Sequence, residues 1–254
     1  MKKPKICHLI FSTNRLEFLV PSLQSIHNLV FSGCDVDRII VDDYPLTRND
    51  DEFTKLVSNY GFNEIILHKE NLGLTVTWTN MWNKLKNMDY DYIFHQEDDV
   101  IFLEPVKIID LINLLEVENN VSQIQLTRQE WYPTDIPPGI TKKDCLYKDY
   151  RYTRDSLYFN TMASLCSSKI LNMNIFESIS SNLSEGLVGG YLANEYNMYP
   201  IKLKRYSDGG PLINHIGEWF VGKRTVPGDP GHEYFSMYNP DKKYSSRTGE
   251  LYSV

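Results

Sequence analysis

The first hundred residues alternate between two hydrophobic periods. Short runs rich in β-branched and aromatic residues read as strands: KICHLIFS (5–12), DRIIVDD (37–43), NEIILH (63–68) and YDYIFH (90–95). Between them, apolar residues recur every three or four positions. Leu16, Leu19, Leu23, Ile26 and Val30 form one set, Phe53, Leu56, Val57 and Tyr60 a second, and Leu74, Trp78, Met81, Trp82 and Leu85 a third. Each set falls on one face of a helix. Strand and helix in this rhythm predict parallel βαβ units, and hence an α/β fold with an open, mostly parallel central sheet and flanking helices. After Pro105 the rhythm loosens. Val106 to Glu116 reads as a helix, QIQLTRQEWY (123–132) and YFNTMASLC (158–166) as strands, and SEGLVGGYLANEYNM (184–198) as a helix capped by Ser184. Residues 131–158 read as an irregular excursion. The stretch beyond about residue 221 is too rich in Gly, Pro and polar residues for a core segment. The expected organisation is a single domain over residues 1–225 followed by a tail, 226–254.

Ligands on open α/β sheets bind outside the carboxyl ends of the strands. Those ends carry Thr13-Asn14-Arg15, Asp42-Asp43, His68-Lys69 and Glu97-Asp98-Asp99. The last is unusual, because three adjacent acids stand between two apolar runs, Tyr92–Phe94 and Val100–Leu103. The flanks draw the carboxylates toward the protein body, where like charges repel and desolvation is costly. A hard divalent cation among them, Mn²⁺ or Mg²⁺, relieves both costs.

Composition narrows the function classes. The 254 residues are 42% hydrophobic and 13% aromatic, enough for a sizeable core. A net charge of −7 argues against broad nucleic-acid binding, which needs a basic face. Cys7, Cys34, Cys145 and Cys166 form no CxxC pair and read as thiols in a reducing compartment. The apolar run near the N-terminus stops after about six residues, too short for a signal-peptide core. No stretch approaches the roughly 18 apolar residues of a membrane span. The expected location is the cytoplasm, with any membrane association made through partners. The chain has no GxGxxG, no GxxxxGK[ST] and no GxSxG, so the dinucleotide, P-loop and hydrolase-elbow readings fall away.

Four segments, in order, resemble those of GT-A glycosyltransferases, most closely family 2 and its relatives. IFSTNR resembles the opening strand and its T-x-N-R turn. RIIVDD resembles the second strand with its terminal acid, KENLGLTVTWTN the NxG stretch after the third, and YIFHQEDDV the fourth strand with its acidic DxD motif, here EDD. The likeness covers residues 5–103, which become the nucleotide-sugar-binding half, with 104–225 as the acceptor side. It implies a metal ion that holds the diphosphate of a nucleotide sugar, with a UDP-sugar as the expected donor.

Carried over by position, the resemblance makes Asp99 the direct metal ligand. Glu97 and Asp98 contact the sugar, the ribose or metal-bound water. Asp42 faces the base or ribose with Asp43 beside it, and Thr13, Arg15, Asn71 and Gly73 lie along the nucleotide. One departure stands out: where family members often read DDGS, this chain reads DDYPLTRND. In the second half, Glu185-Gly186 resembles the reduced form of an acid pair that opens a helix and supplies the general base. His215, after PLIN, resembles a third metal ligand. Lys223 and Arg224 are expected to reach the diphosphate from a glycine-hinged lid over 221–240. Trp131, Tyr132 and Trp219 are candidates for stacking on sugar rings. The function implied is metal-dependent transfer of a sugar to a hydroxyl of a glycan or similar acceptor, with inversion. Two other readings stay open: a catalytically silent GT-A domain that binds glycans or acts as a scaffold, and a sugar nucleotidyltransferase, against which the absence of a Gly-rich opening loop argues.

Overall fold

The computed structural model describes residues 2–44, 48–128, 145–154, 159–173, 175, 185–205 and 207–216, together with strand segments at 219–220, 233–235, 242–245 and 251–253. The predicted βαβ rhythm is present. Strand β1 (Lys5–Ser12) leads into helix α1 (Leu16–Ser25), then β2 (Leu29–Val30) and β3 (Asp35–Asp42). Helix α2 (Asp50–Ser58), β4 (Glu64–Leu67), α3 (Leu74–Leu85) and β5 (Tyr92–Glu97) follow. The apolar spacing predicts that the first helix runs to Val30, but α1 stops at Ser25. A short 3-10 turn then hands the chain to β2, which pairs in parallel with β7 (Val106–Lys107). Leu29 and Val30 thus belong to a small sheet and not to a helix face.

Short β6 (Val100–Phe102) precedes β7, and α4 (Ile108–Val117) follows it. Then come β8 (Val121–Leu126), β9 (Cys145–Tyr147), β10 (Tyr150–Thr153), β11 (Ala163–Ser167), α5 (Glu185–Tyr196), β12 (Tyr199–Arg205) and β13 (Ile213–His215). The region read as irregular, 131–158, contains a hairpin, β9–β10. Its turn places Lys148 at φ 48°, and Tyr150 and Tyr152 are buried. The strand read over 123–132 is β8 and ends at Leu126. Four short strands, Trp219–Phe220 just before the tail and Glu233–Phe235, Lys242–Ser245 and Leu251–Ser253 within it, pair antiparallel as a separate sheet.

The nine-stranded central sheet has the order β4-β3-β1-β5-β11-β8-β12-β10-β9. The pairings make every strand point one way except β11 and β10, so the sheet is mostly parallel. It continues through both halves of the chain. Alternation along β1 divides the core: Cys7, Leu9 and Phe11 pack with α3 and α5, while Ile10 packs with α1 and α2 and Ile6 with α4. Burial on both faces accounts for the nearly unbroken apolar run of KICHLIF.

Register fixes what the carboxyl edge presents. Ser12 stands opposite Asp42, and Phe11 opposite Glu97. Arg48 locks this edge from behind. Its guanidinium contacts Asp42 Oδ1 at 2.5 Å, Asp50 Oδ1 at 2.8 Å and the His68 carbonyl at 2.8 Å, with the side chain 2% exposed. Removing one partner of a buried pair leaves the other charge unmatched. Arg48→Met is therefore expected to lower stability by about 3–5 kcal/mol. Urea unfolding measures this, and a loss within error of zero would mean that Asp42 is held by its other donors alone.

Candidate active site

The acidic triplet sits where β5 stops and β6 begins. Val100 and Phe102 are buried, so the turn between the strands cannot swing out into solvent. Strand β13 pairs antiparallel with β6, setting His215 opposite Val100, and the Ile216 N–H donates to the Asp99 carbonyl at 2.8 Å. This short ladder delivers His215 to the acids across more than a hundred residues of sequence. Its Nε2 lies 3.0 Å from Asp99 Oδ1 and 3.7 Å from Glu97 Oε2. One ligand atom from each of Glu97, Asp99 and His215 falls within 4.8 Å of the others. Asp99 and His215 are thus together as the sequence suggests. Glu97, expected to contact the sugar, the ribose or metal-bound water, joins them.

The turn after β1 closes over the triplet. The Thr13 N–H donates to Asp98 Oδ2 at 2.9 Å. The Arg15 guanidinium spans both neighbours, contacting Asp98 and, at 2.9 Å, Asp99 Oδ2. Asn14 takes φ 57°, a region that Asn tolerates better than most residues, and its N–H donates to Asp42 Oδ2 at 2.6 Å. Asp42 is wholly buried. Besides Asn14 and Arg48 it accepts from Ser12 Oγ at 2.8 Å and the Tyr44 N–H at 3.2 Å. Expected at the base or ribose, Asp42 here fastens the Thr13–Asn14 turn to the strand end. Asp43 accepts from the Leu72 N–H at 3.0 Å and the Gly73 N–H at 2.6 Å, and lies 2.8 Å from His68 Nδ1. Asn71 Oδ1 also receives the Gly73 N–H, at 3.0 Å. The NxG stretch is therefore the loop that Asp43 holds, and Gly73, at φ 77°, begins α3.

Glu185 opens α5, where the helix dipole favours a carboxylate. Its Oε1 accepts from the Thr161 N–H at 2.8 Å and lies 3.2 Å from Thr161 Oγ1. That same hydroxyl is 2.7 Å from Glu97 Oε1. The base candidate and the metal-ligand candidates thus form one cluster. Thr161 is absent from the sequence reading, since a lone Thr before an apolar strand carries no pattern. Arg48, within the DDYPLTRND departure, is absent for the same reason. Lys223, Arg224, Trp131, Tyr132, Ser184 and the lid over 221–240 (apart from its strand at 233–235) lie outside the described residues, as does the Trp219 side chain.

Charge is unevenly matched here. Burial, with the charge of Asp99 adding to it, pushes the Asp98 carboxyl up to about 6 despite Arg15. Burial would raise Asp99 as well, but His215 and Arg15 outweigh it and hold that carboxyl below the ordinary range. Burial would lower His215, but Asp99 and Glu97 raise it to about 9. Burial and the charge of Glu97 push Glu185 up to about 7, against the opposing pull of the Thr161 hydrogen bonds.

No protein-family model and no curated protein sequence matches the chain. Solved structures do. The chain is similar to S. aureus TarS 1-349, with a TM-score of 0.55 and 14% identity over 83% of this chain and 60% of that one. The TarS complex with UDP gives 0.53 at 14% identity over the same shares. The complex with UDP-GlcNAc gives 0.54 at 13% identity, over 83% of this chain and 58% of that one. A further TarS structure is spanned to only 36% of its length. The likeness shows the fold alone, a mixed α/β fold with a large, mostly parallel central sheet.

The raised Glu185 carboxyl has a consequence for stability. A carboxyl at its usual 4.5 when unfolded and about 7 when folded binds more protons in the native state between those values. Stability therefore falls as pH rises from about 4.5 to about 7 and levels off above. Glu185→Gln removes that cost. In EDTA the variant is expected to be more stable than the wild type at pH 8 by about 1–3 kcal/mol, with the advantage vanishing toward pH 4.5. Thermal unfolding at both pH values measures the difference, and an advantage independent of pH would overturn this account of Glu185.

Proposed function

We propose that the chain is a metal-dependent glycosyltransferase. It moves a sugar from a nucleoside-diphosphate sugar, in the first instance a UDP-sugar, to a hydroxyl of a glycan or similar acceptor, with inversion at the anomeric carbon. The observation that carries this reading is the meeting of Glu97, Asp99 and His215 at the carboxyl edge of the sheet, with Glu185 tied to the same Glu97 through Thr161. The fold supports it, since TarS has been crystallised with UDP and with UDP-GlcNAc.

The donor set fits Mn²⁺ or Mg²⁺: two carboxylates and an imidazole, hard oxygens with one nitrogen. The local charge fits as well. Among the described residues, the four carboxylates Glu97, Asp98, Asp99 and Glu185 gather around two cationic groups, Arg15 and His215, and burial raises the Asp98 and Glu185 carboxyls. Glu97, Asp99 and His215 would hold the ion. When bound, the ion supplies positive charge against the diphosphate as that group departs.

The remaining work falls to the chain. Arg15 has a planar fork of donors suited to phosphate as well as to the acids it spans. Burial raises the Glu185 carboxyl and so gives it the affinity for a proton that a general base needs. It takes the proton of the acceptor hydroxyl as that oxygen bonds to the anomeric carbon. The bond from that carbon to the diphosphate breaks, and its electron pair leaves with the diphosphate. Attack opposite the leaving group inverts the centre, through an oxocarbenium-like transition state.

A panel of UDP-sugars, assayed for UDP release with Mn²⁺ and with EDTA, tests the reading. Failure of UDP, GDP or any other nucleoside diphosphate to bind in either condition would overturn it. Asp99→Asn should abolish the Mn²⁺-dependent part of UDP binding, read by titration calorimetry, while leaving the fold intact by circular dichroism. Undiminished binding would remove Asp99 from the ligand set. Glu185→Gln should lower turnover by about 10²–10⁴ and leave UDP affinity within about twofold. Normal transfer by this variant would exclude Glu185 as the base.

A further inference from the structure

Thr161 touches both acids on which the proposed reaction depends. It lies at the entrance to β11 and is wholly buried. Because β11 runs against β5, its first residues arrive at the carboxyl edge: the Met162 carbonyl accepts from the Glu97 N–H at 2.8 Å, and Ala163 stands opposite Gln96. Thr161 is thereby held between the end of β5 and the start of α5.

Its contacts fall on one oxygen of each acid. The backbone N–H reaches Glu185 Oε1 at 2.8 Å. The hydroxyl stands 2.7 Å from Glu97 Oε1 and 3.2 Å from Glu185 Oε1. A hydroxyl has one proton to give. The shorter contact assigns it to Glu97, so the hydroxyl ties Glu97 to the residue whose N–H holds Glu185 and thereby sets the spacing of the two acids. Glu97 Oε2 is the oxygen that faces His215. One residue thus sorts the oxygens of two acids, with each Oε1 bound to Thr161 and each Oε2 left out of its contacts.

We infer that Thr161 is the positioning residue of the base: it fixes Glu185 by Oε1, leaves Oε2 to meet the acceptor hydroxyl, and sets the distance from the base to the cluster of Glu97, Asp99 and His215. This inference rests on the reading of Glu185 as the general base. Thr161 itself neither gains nor loses a proton over the reaction. The acceptor proton passes to Glu185, the new bond forms at the anomeric carbon, and the diphosphate carries away the electron pair. What Thr161 contributes is geometry, felt at the reacting centre and not in the affinity for the nucleotide.

Thr161→Val keeps the shape and the backbone N–H but removes the hydroxyl. With a UDP-sugar that the wild type turns over, and Mn²⁺, kcat is expected to fall about 10–100-fold, the scale of a lost hydrogen bond to a charged group. The KM for the donor and the Kd for UDP should stay within about threefold. Thr161→Ser restores the hydroxyl and should return kcat to within about threefold of wild type. If circular dichroism shows the Val variant unfolded, Thr161→Ala and Thr161→Ser carry the same comparison. A hydroxyl-free variant with wild-type kcat overturns the inference alone. So does a parallel loss of UDP affinity and kcat that Ser fails to restore, the mark of a purely structural residue. A wild-type chain that binds no nucleoside diphosphate with Mn²⁺ removes the base reading and this inference with it.

Discussion

The crowding of carboxylates at the carboxyl edge of the sheet is the constraint around which the rest of the structure is arranged. At an effective dielectric of about 20, two unit charges 4 Å apart interact by about 4 kcal/mol. Holding Glu97, Asp98, Asp99 and Glu185 close together is costly to the extent that the repulsions are not offset. The chain offsets them with groups recruited from separate elements. Arg15 comes from the turn before α1, His215 from the end of β13, and Thr161 from the start of β11. Asp42 and Asp43, two strands over, are treated likewise by Arg48 and by backbone N–H groups. Folding the edge therefore requires that distant parts of the sequence meet there at once.

The offset is incomplete, and that is its functional interest. Asp99 is held charged by its two cationic neighbours, whereas Asp98 and Glu185 retain raised carboxyls. A site built only for stability would trade such acids for neutral or apolar groups. Keeping them costs stability, and among the described residues four carboxylates stand beside two cationic groups. Burial, with the charge of Glu97 adding to it, is what raises the affinity of Glu185 for a proton.

Much of this was legible in the sequence, for local reasons. Strand and helix periods reported the first half of the fold, because apolar spacing is set by nearest neighbours. The EDD triplet between apolar runs announced its own burial. His215 and Glu185 were placed by resemblance, and the structure brings both to the triplet. What stayed hidden depends on contacts across long separations. The hairpin over 145–153 is polar and tyrosine-rich, and it gains its strand character by pairing with β12. Glu97 joins Asp99 and His215 because it is the last residue of β5, with a turn of two residues between it and β6. Asp42 carried the right residue type at the right strand end, yet its oxygens are taken up by four protein donors that no local pattern reveals.

Strand direction explains how so many separate residues share one edge. A forward strand can offer that edge only its last residues, and Ser12, Asp42 and Glu97 all close forward strands. A reversed strand can offer only its first residues, and Thr161 stands just before β11, which runs against β5 and β8. A helix that precedes a forward strand must itself begin at that edge, and α5, ahead of β12, begins there with Glu185. Reversing β11 is what makes room for Thr161 between two acids of the forward edge. The antiparallel strand is thus the topological feature that brings Thr161 between Glu97 and Glu185.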